Sequence, residues 1–341
     1  MIRTRTLRAG LFAGTLGLSL MLAGCGDSSD GDSAAPSGGD GSGLDGKTIA
    51  FVGYGNESPW GAAYNKVFLE DLADTGVTVD DLTSMDAGTQ IQNLNQAVSE
   101  KPDLIVAIVL DTAAAVVPIR KAEQAGIPVL LVDGRPDPAV EDTVLSVLSD
   151  NPKLGEFAAE NLIEGMKAQG RDSGKVIVLA GTKSMLVTQD RMKGFNEVMA
   201  ANPEFEVIEE QDTNWDPTLS GEVAQQLFAK YGCEGIQGAY GMADYMALPI
   251  VQAAKQAGCK VGGENGIIIT GGNCFKVGID SIRAGELYGT ATEDPITIAH
   301  ATADYIEQYF NGEEPPRSVT IEEHRITADN VDEFAEQCSQ A

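Results

Sequence analysis

The chain has 341 residues, with 51 acidic and 23 basic side chains, and a formal net charge of −28 at pH 7. Proteins that bind nucleic acid or adsorb to anionic lipid need a basic surface, so this composition excludes both kinds of partner. A chain of this length predicts two domains.

The first residues predict export rather than a folded element. Three arginines among the first eight residues precede an apolar stretch over 9–22, which is too short to span a bilayer comfortably. Small residues follow, so residues 1–24 are predicted to be a secretory signal peptide. The sequence Leu-Ala-Gly-Cys that ends at Cys25 resembles a bacterial lipobox, which implies cleavage before Cys25 and lipidation of that cysteine. The alternative is an ordinary signal, or a failed membrane helix, with an incidental cysteine.

Residues 25–46 predict a tether. After Cys25 they are nearly all glycine, serine, aspartate, alanine or proline, a composition that favours a flexible linker. Removing residues 1–24 deletes three arginines and no acid, so the formal charge becomes 20 − 51 = −31. We therefore expect an exported protein, lipid-anchored to the outer face of the bacterial cell membrane, that contacts the membrane only through its lipid.

Four further cysteines suggest two disulfides, because exported proteins with an even number of cysteines commonly pair them. Three pairings are possible among Cys233, Cys259, Cys274 and Cys338. The first two each lie between a predicted helix and a predicted strand, which favours pairing them and leaves the last two to pin the C-terminal tail. Four free buried thiols are the alternative. No metal site is expected, since the chain has no C-x-x-C motif and only two histidines.

Downstream of residue 47, short apolar runs alternate with amphipathic helical patterns. The runs predict strands over 49–52, 77–82, 104–109, 129–132 and 144–148, and again over 175–180, 205–209, 235–239, 267–270 and 288–292. The helical patterns lie near 60–75, 90–100, 113–125 and 152–169, and again near 185–201, 217–231, 244–257, 275–284 and 296–310. Strands that alternate with helices of this length form parallel sheets covered on both faces. The predicted fold class is therefore α/β, with two doubly wound lobes that meet near residues 149–152.

Polar and aromatic side chains follow the ends of these strands, where open α/β sheets bind their ligands. The only two tryptophans of the chain lie in such loops, one in each lobe, where their rings are suited to stacking on a ligand. Planar polar groups beside aromatic rings suit a polyhydroxyl ligand. The candidate ligand-binding residues are Tyr54, Ser58, Trp60, Asp133, Arg191, Trp215, Asn273 and Glu293. Asp111 and Asp244 also follow strands but are not included, and Asp244 is predicted to cap its helix.

Several candidates have a structural alternative. The two tryptophans could pack between the lobes. Arg191 could be the partner of Asp190 or of Asp133, and Asp133 could cap a helix. Glu293 could instead serve a hinge.

Six segments, in this order and spacing, resemble type I periplasmic sugar-binding proteins, the ribose/galactose-like substrate-binding components of ABC importers. They contain Ser-Pro-Trp at 58–60, Ala-Gly-Ile-Pro-Val at 125–129, Ser-Asp-Asn at 149–151, Arg-Met-Lys-Gly-Phe at 191–195, Ala-Asp-Tyr-Met-Ala-Leu at 243–248 and Ile-Arg-Ala-Gly-Glu-Leu at 282–287. The resemblance covers Lys47 to about Asp332. It implies two Rossmann-like lobes, joined by three hinge strands, that close on a sugar. The implied lobes are 47–149 with about 294–322, and 150–293 with about 323–341.

The resemblance also implies roles for single residues. Trp60 and Trp215 match stacking aromatics, Asp133 matches a carboxylate that accepts from sugar hydroxyls, and Arg191 matches a ligand-binding arginine. Other positions depart from the ribose-binding pattern, and these are Ser58, Gly134, Ala243, Asn273 and Glu293. The departures keep a polar, aromatic-walled cleft but remove ribose-specific contacts. Pentoses, hexoses, deoxy-sugars and polyols stay open as ligands.

By this resemblance the chain is a monomeric substrate-binding lipoprotein, not an enzyme, whose partners are a sugar or polyol, an ABC permease and its ATPase. No cofactor is expected, because Gly53-Tyr54-Gly55 lacks the third glycine of a dinucleotide-binding loop. A receptor module for a sensor, or a binder of a nucleoside or an amino acid, would use the same fold. An exported hydrolase would need a catalytic pair, for which Asp133 and Glu293 are the available carboxylates.

Overall fold

Twelve strands and ten α-helices are found in the computed structural model, which describes residues 43–339 and 341. The strands are β1 (Thr48–Val52), β2 (Thr78–Asp81), β3 (Leu104–Ala107), β4 (Val129–Asp133), β5 (Leu145–Ser149), β6 (Gly174–Ala180), β7 (Phe205–Asp212), β8 (Gly238–Gly241), β9 (Ile268–Thr270), β10 (Gly289–Ala291), β11 (Ser318–Ile321) and β12 (Arg325–Thr327). The helices are α1 (Pro59–Leu72), α2 (Ala87–Glu100), α3 (Thr112–Gln124), α4 (Asn151–Ala168), α5 (Leu186–Ala201), α6 (Pro217–Tyr231), α7 (Asp244–Gln256), α8 (Lys276–Arg283), α9 (Pro295–Phe310) and α10 (Val331–Cys338).

The predicted signal peptide, Cys25 and the linker as far as residue 42 lie outside the described residues. Within the part of the chain that the structure describes, none of the helices is both long and apolar enough to cross a bilayer.

Two six-stranded sheets form the cores of two α/β lobes. The first sheet has the order β11-β5-β4-β3-β1-β2 and is parallel throughout. The second has the order β12-β10-β9-β8-β6-β7 and is parallel except for β12, which runs antiparallel to β10. Strands β3 and β4 are buried along their whole length, which explains their unbroken apolar sequences.

The chain passes between the two sheets three times. It crosses after β5 at Asp150, between β10 and α9 at 292–294, and between β11 and β12 at 322–324. The lobe boundaries implied by the resemblance stay a prediction, which this distribution of strands between the sheets supports.

One predicted strand is displaced in the structure. The run over 235–239 was expected to be extended, but Cys233–Gly235 forms a 3-10 turn and the strand β8 begins at Gly238. The cause is the end of α6, where Gly232 has a φ of +66° and the chain makes a further turn before pairing with β6. The four-residue strand β11, the three-residue strand β12 and helix α10 have no counterpart among the strands and helices predicted from the sequence.

Both disulfides lie in the second lobe and its C-terminal helix. Cys233 pairs with Cys259 across a Cα–Cα distance of 5.3 Å, and Cys274 pairs with Cys338 across 4.9 Å. This is the favoured one of the three pairings possible from the sequence. The second bond ties the loop after β9 to α10.

Candidate functional site

The loops of the first lobe are tied together by one buried amide. Gln90, on the first turn of α2, is 1% exposed. Its Nε2 donates to the carbonyl oxygens of Gly53 at 2.8 Å, Ser84 at 3.0 Å and Ile108 at 3.2 Å. Its Oε1 accepts from the backbone N–H of Leu110 at 2.9 Å. A single side chain therefore fixes the loops that follow β1, β2 and β3.

Trp60 is held at the start of α1. Ser58 is the N-cap of this helix, and its hydroxyl accepts from the N–H of Gly61 at 3.3 Å. The Trp60 ring stacks on Tyr64 with centroids 5.1 Å apart and planes 9° apart. Its Nε1 donates to Oε1 of Glu293 at 3.0 Å, so the ring joins the first lobe to the connection between β10 and α9.

Arg191 reaches the cleft because α4 and α5 cross closely. A Cβ on Gly155 would lie 1.8 Å from the carbonyl oxygen of Arg191, and one on Gly194 would lie 1.9 Å from that of Pro152. Only glycine allows this approach. It brings Arg191 Nε to 2.8 Å from Oδ1 of Asn151, to which it donates.

The rest of the Arg191 guanidinium holds a buried network. Nη1 donates to the carbonyl oxygen of Met242 at 3.1 Å and to Oδ1 of Asn273 at 3.3 Å. Nη2 forms an ion pair with Oε2 of Glu293 at 3.1 Å, and the two side chains are only 2% and 0% exposed. The guanidinium also lies 5.3 Å from the ring centroid of Trp215, which stacks beneath it.

Burial shifts the pKa values of two carboxyl groups in the site. Burial raises the pKa of Glu293 well above its ordinary value, while the nearby Arg191 opposes the shift. Burial also raises the pKa of Asp133, and Arg191 again acts in the opposite direction. Oδ1 of Asp133 is buried and has no hydrogen-bond partner among the described residues. It is therefore an acceptor without a donor at the edge of the cleft.

The sequence left Asp190 as a possible structural partner of Arg191, and the structure does not pair the two. Asp190 pairs instead with Arg135, whose Nε lies 2.7 Å from the carboxylate. That ion pair links the loop after β4 to α5, and so joins the two lobes beside the cleft.

Asn273 lies in a loop with a strained backbone. Both Asn273 and Cys274 have positive φ, +84° and +52°, which is uncommon for residues other than glycine. Asn273 Nδ2 donates to Oε2 of Glu293. The loop is clasped from α7 by Asp244, whose backbone N–H donates to the Gly272 oxygen at 2.7 Å and whose Oδ2 accepts from the Phe275 N–H at 2.9 Å.

The prediction that Asp244 caps α7 is wrong. The helix begins after Ala243, and no side chain caps it. Asp244 instead turns inward, where its Oδ1 accepts from the hydroxyl of Thr290 at 2.7 Å. Burial raises its pKa to about 7, and these hydrogen bonds oppose the rise. Asp111, by contrast, caps α3 by accepting from the N–H of Ala114 at 2.9 Å.

All eight candidate residues line one cleft. Tyr54, Ser58 and Trp60 come from the first lobe, and Trp215 comes from the loop after β7, with its ring against the backbone of Gly181. The remaining four are Asp133, Arg191, Asn273 and Glu293. As the side chains lie, the enclosed free space is about 20 Å³, close to that of one water molecule. A ligand larger than a water molecule therefore requires the walls of the cleft to move apart.

Five further lining residues were not predicted, and they are Met85, Leu110, Met185, Val187 and Tyr245. Tyr245 directly follows Asp244, which the sequence analysis had already placed after a strand. Its position in the sequence could therefore have identified it as a candidate. The aliphatic residues carry no sequence signal for binding, because apolar side chains at helix starts are usually core. Within residues 43–339, no group of three His, Cys, Asp or Glu side chains is placed to hold a metal ion.

Comparisons with known proteins place the chain among periplasmic binding proteins. The family model described as a periplasmic binding protein domain matches residues 49–314, more than half of the chain. The "Fructose import binding protein FruE" of Bifidobacterium longum is 26% identical over 297 residues, which cover 86% of this chain and 89% of that protein. The "Galactofuranose-binding protein YtfQ" of Escherichia coli is 28% identical over 285 residues, which cover 80% of this chain and 85% of that protein.

A solved structure shares the fold. The Caulobacter myo-inositol binding protein bound to myo-inositol superposes with a TM-score of 0.78 at 20% identity. The superposition covers 87% of this chain and 97% of that chain. At this level of identity the likeness concerns the fold alone.

Proposed function

Because the chain belongs to the periplasmic binding protein domain family, we propose that it captures a monosaccharide or polyol between its two lobes and delivers it to an ABC permease. Members of this family are binding proteins of transporters rather than enzymes. Two relatives, matched over most of their length, are named for the import or binding of a sugar, fructose and galactofuranose.

The ligand class rests on one observation, the lining of the cleft. Aromatic rings from both lobes and a buried guanidinium–carboxylate network converge on one small space. Rings suit the C–H faces of a sugar, and planar charged groups suit its paired hydroxyls. A ligand that contacts both walls at once stabilises the closed arrangement of the lobes, which is a population shift about the three connections.

We also propose that the protein is attached to the membrane through Cys25. The lipobox-like sequence supports lipidation of Cys25 and a lipid anchor at the outer face of the cell membrane. We also propose that the protein is a monomer. Mass spectrometry of the membrane fraction should find a lipid on Cys25, and Cys25→Ala should release the protein from the membrane. A wild-type protein whose Cys25 carries no lipid would contradict the anchor.

A ligand screen tests the binding function. Pentoses, hexoses, deoxy-sugars, polyols, nucleosides and amino acids are added to the purified full-length protein, and its melting temperature is recorded. A ligand at about 100 times its Kd adds roughly 2.7 kcal/mol of stability, which is easily seen. Trp215→Leu should weaken any hit at least tenfold. A nucleoside or amino-acid hit would retain the fold and refute the sugar assignment.

A further inference from the structure

The polar side chains of the cleft already satisfy one another to a large degree. Glu293 accepts from Trp60 through Oε1 and from Arg191 and Asn273 through Oε2. Arg191 also donates to Asn151 and to a backbone carbonyl, as well as to Asn273. Few hydrogen-bonding positions on this network are left for a ligand.

The tryptophans offer rings but no spare donors. The Nε1 proton of Trp60 goes to Glu293, and that of Trp215 goes to Sδ of Met185 at 3.2 Å. Each indole has only this one donor. Both rings can therefore contact the apolar faces of a ligand but cannot serve further hydroxyls.

One strong acceptor is left over on the polar side of the cleft. Asp133 is 3% exposed, lines the free space, and keeps Oδ1 without a hydrogen-bond partner. A buried carboxylate oxygen calls for a donor, which a ligand hydroxyl supplies. Arg191 lines the same free space as Asp133, so one edge of the ligand should carry neighbouring hydroxyls.

Another part of the cleft wall is apolar. Leu110 and Met185 are 7% and 2% exposed and belong to one hydrophobic cluster with Trp60, against which Met85 packs. All four side chains line the same free space. A hydroxyl pressed against this wall would lose its water without gaining a partner, which costs binding free energy.

We propose that the ligand is a deoxy-sugar, with neighbouring hydroxyls on the edge that faces Asp133 and Arg191 and a methyl or methylene group against Met85, Leu110 and Met185. This inference rests on the proposed function and narrows its ligand class. It assigns specificity to the apolar wall, and general sugar affinity to the two tryptophan rings and the unpartnered Oδ1 of Asp133.

Matched pairs of sugars that differ by one hydroxyl test the inference. D-fucose and D-galactose, L-rhamnose and L-mannose, and 6-deoxy-D-glucose and D-glucose are titrated into the purified full-length protein by calorimetry. We expect at least one deoxy-sugar to bind with a Kd at least tenfold below that of its partner. If the hydroxylated sugar binds as tightly or more tightly in every pair that binds, or if only a sugar or polyol outside these pairs binds, the inference is refuted while the proposed function stands. If a nucleoside or amino acid binds and no sugar does, the proposed function fails as well.

A variant tests whether the apolar wall causes the preference for the deoxy-sugar over its hydroxylated partner. Leu110→Asn places an amide on the apolar wall and should lower the Kd ratio within the preferred pair at least threefold. Val117→Asn is the control, because Val117 lies on α3 with 59% of its surface exposed and should leave the ratio unchanged. An unchanged ratio in a folded Leu110→Asn protein would refute the assignment of this wall. Should that variant fail to fold, the wild-type ratio still decides the ligand class.

Discussion

Replacing Arg191 with methionine should destabilise the protein as well as abolish tight binding. The substitution keeps an apolar stem of similar length but removes the cation from the Arg191–Glu293 ion pair. The two side chains of this pair are 2% and 0% exposed. Glu293 would then be a buried carboxylate without its counter-ion, and removing one partner of a buried pair costs about 3–5 kcal/mol.

The loss of stability caused by Arg191→Met should be larger at high pH than at low pH. Burial raises the pKa of Glu293 and of Asp133, and Arg191 is the main group that lowers both. Both pKa values are already above their ordinary values in the wild type, and removing Arg191 raises them further, so the variant loses more stability than the wild type as pH rises. The deficit of Arg191→Met against wild type should therefore be larger at pH 8 than at pH 5.

Urea unfolding at the two pH values measures this deficit, followed by the fluorescence of Trp60 and Trp215, the only tryptophans of the chain. Arg283→Met is the matched control, because the Arg283 side chain is 46% exposed and pairs with an exposed Asp332. Such a surface pair contributes about 0–1 kcal/mol. An Arg191→Met protein within about 1 kcal/mol of this control at pH 8, or a deficit that grows toward pH 5, would refute the reasoning.

Three further predictions follow from the buried groups. Gln90→Leu leaves several buried backbone groups without partners, so the free energy of unfolding in urea should fall by about 3 kcal/mol. Burial raises the pKa of Glu323 from 4.5 to about 7, so stability present below pH 4.5 is lost as pH rises through 7. The protein should unfold at higher urea at pH 5 than at pH 8, and Glu323→Gln should remove about 2 kcal/mol of that difference. Replacing both Cys274 and Cys338 with serine should weaken ligand binding through the neighbouring Asn273 as well as stability, whereas removing the other disulfide should lower stability alone. Equal affinities for the two double variants would contradict this last prediction.

Much of the fold could be predicted because its signals are local. The apolar runs of β1, β3 and β4 mark buried parallel strands, and Ser58 followed by proline marks the start of α1. The eight candidate residues meet in one cleft for a similar reason, since parallel strands of one sheet end at the same edge. The short strands β11 and β12 lack such a signal, because they have only four and three residues and Ile326 alone among them is buried.

The networks inside the site could not be predicted, because their partners are distant in sequence. Trp60 and Glu293 are 233 residues apart, and Gln90 bonds to groups 6 to 37 residues away. Asp111 and Asp244 show the limit most clearly. Both are acidic residues between a strand and a helix, yet Asp111 caps its helix while Asp244 faces the interior and holds the Asn273 loop. Only the packing around each aspartate decides between the two roles.

Under the proposed function, residues in the connections between the lobes link ligand binding to closure. Glu293 accepts from Trp60 of the first lobe and pairs with Arg191 of the second. Its neighbour Thr292 donates to Glu323 at 2.7 Å, which joins this connection to the one between β11 and β12. A hinge motion that separates the lobes must therefore strain or break contacts of the same short segment that lines the cleft. A ligand that strengthens the network around Glu293 favours the closed arrangement through contacts that the open arrangement lacks, which is the differential interaction that a population shift requires.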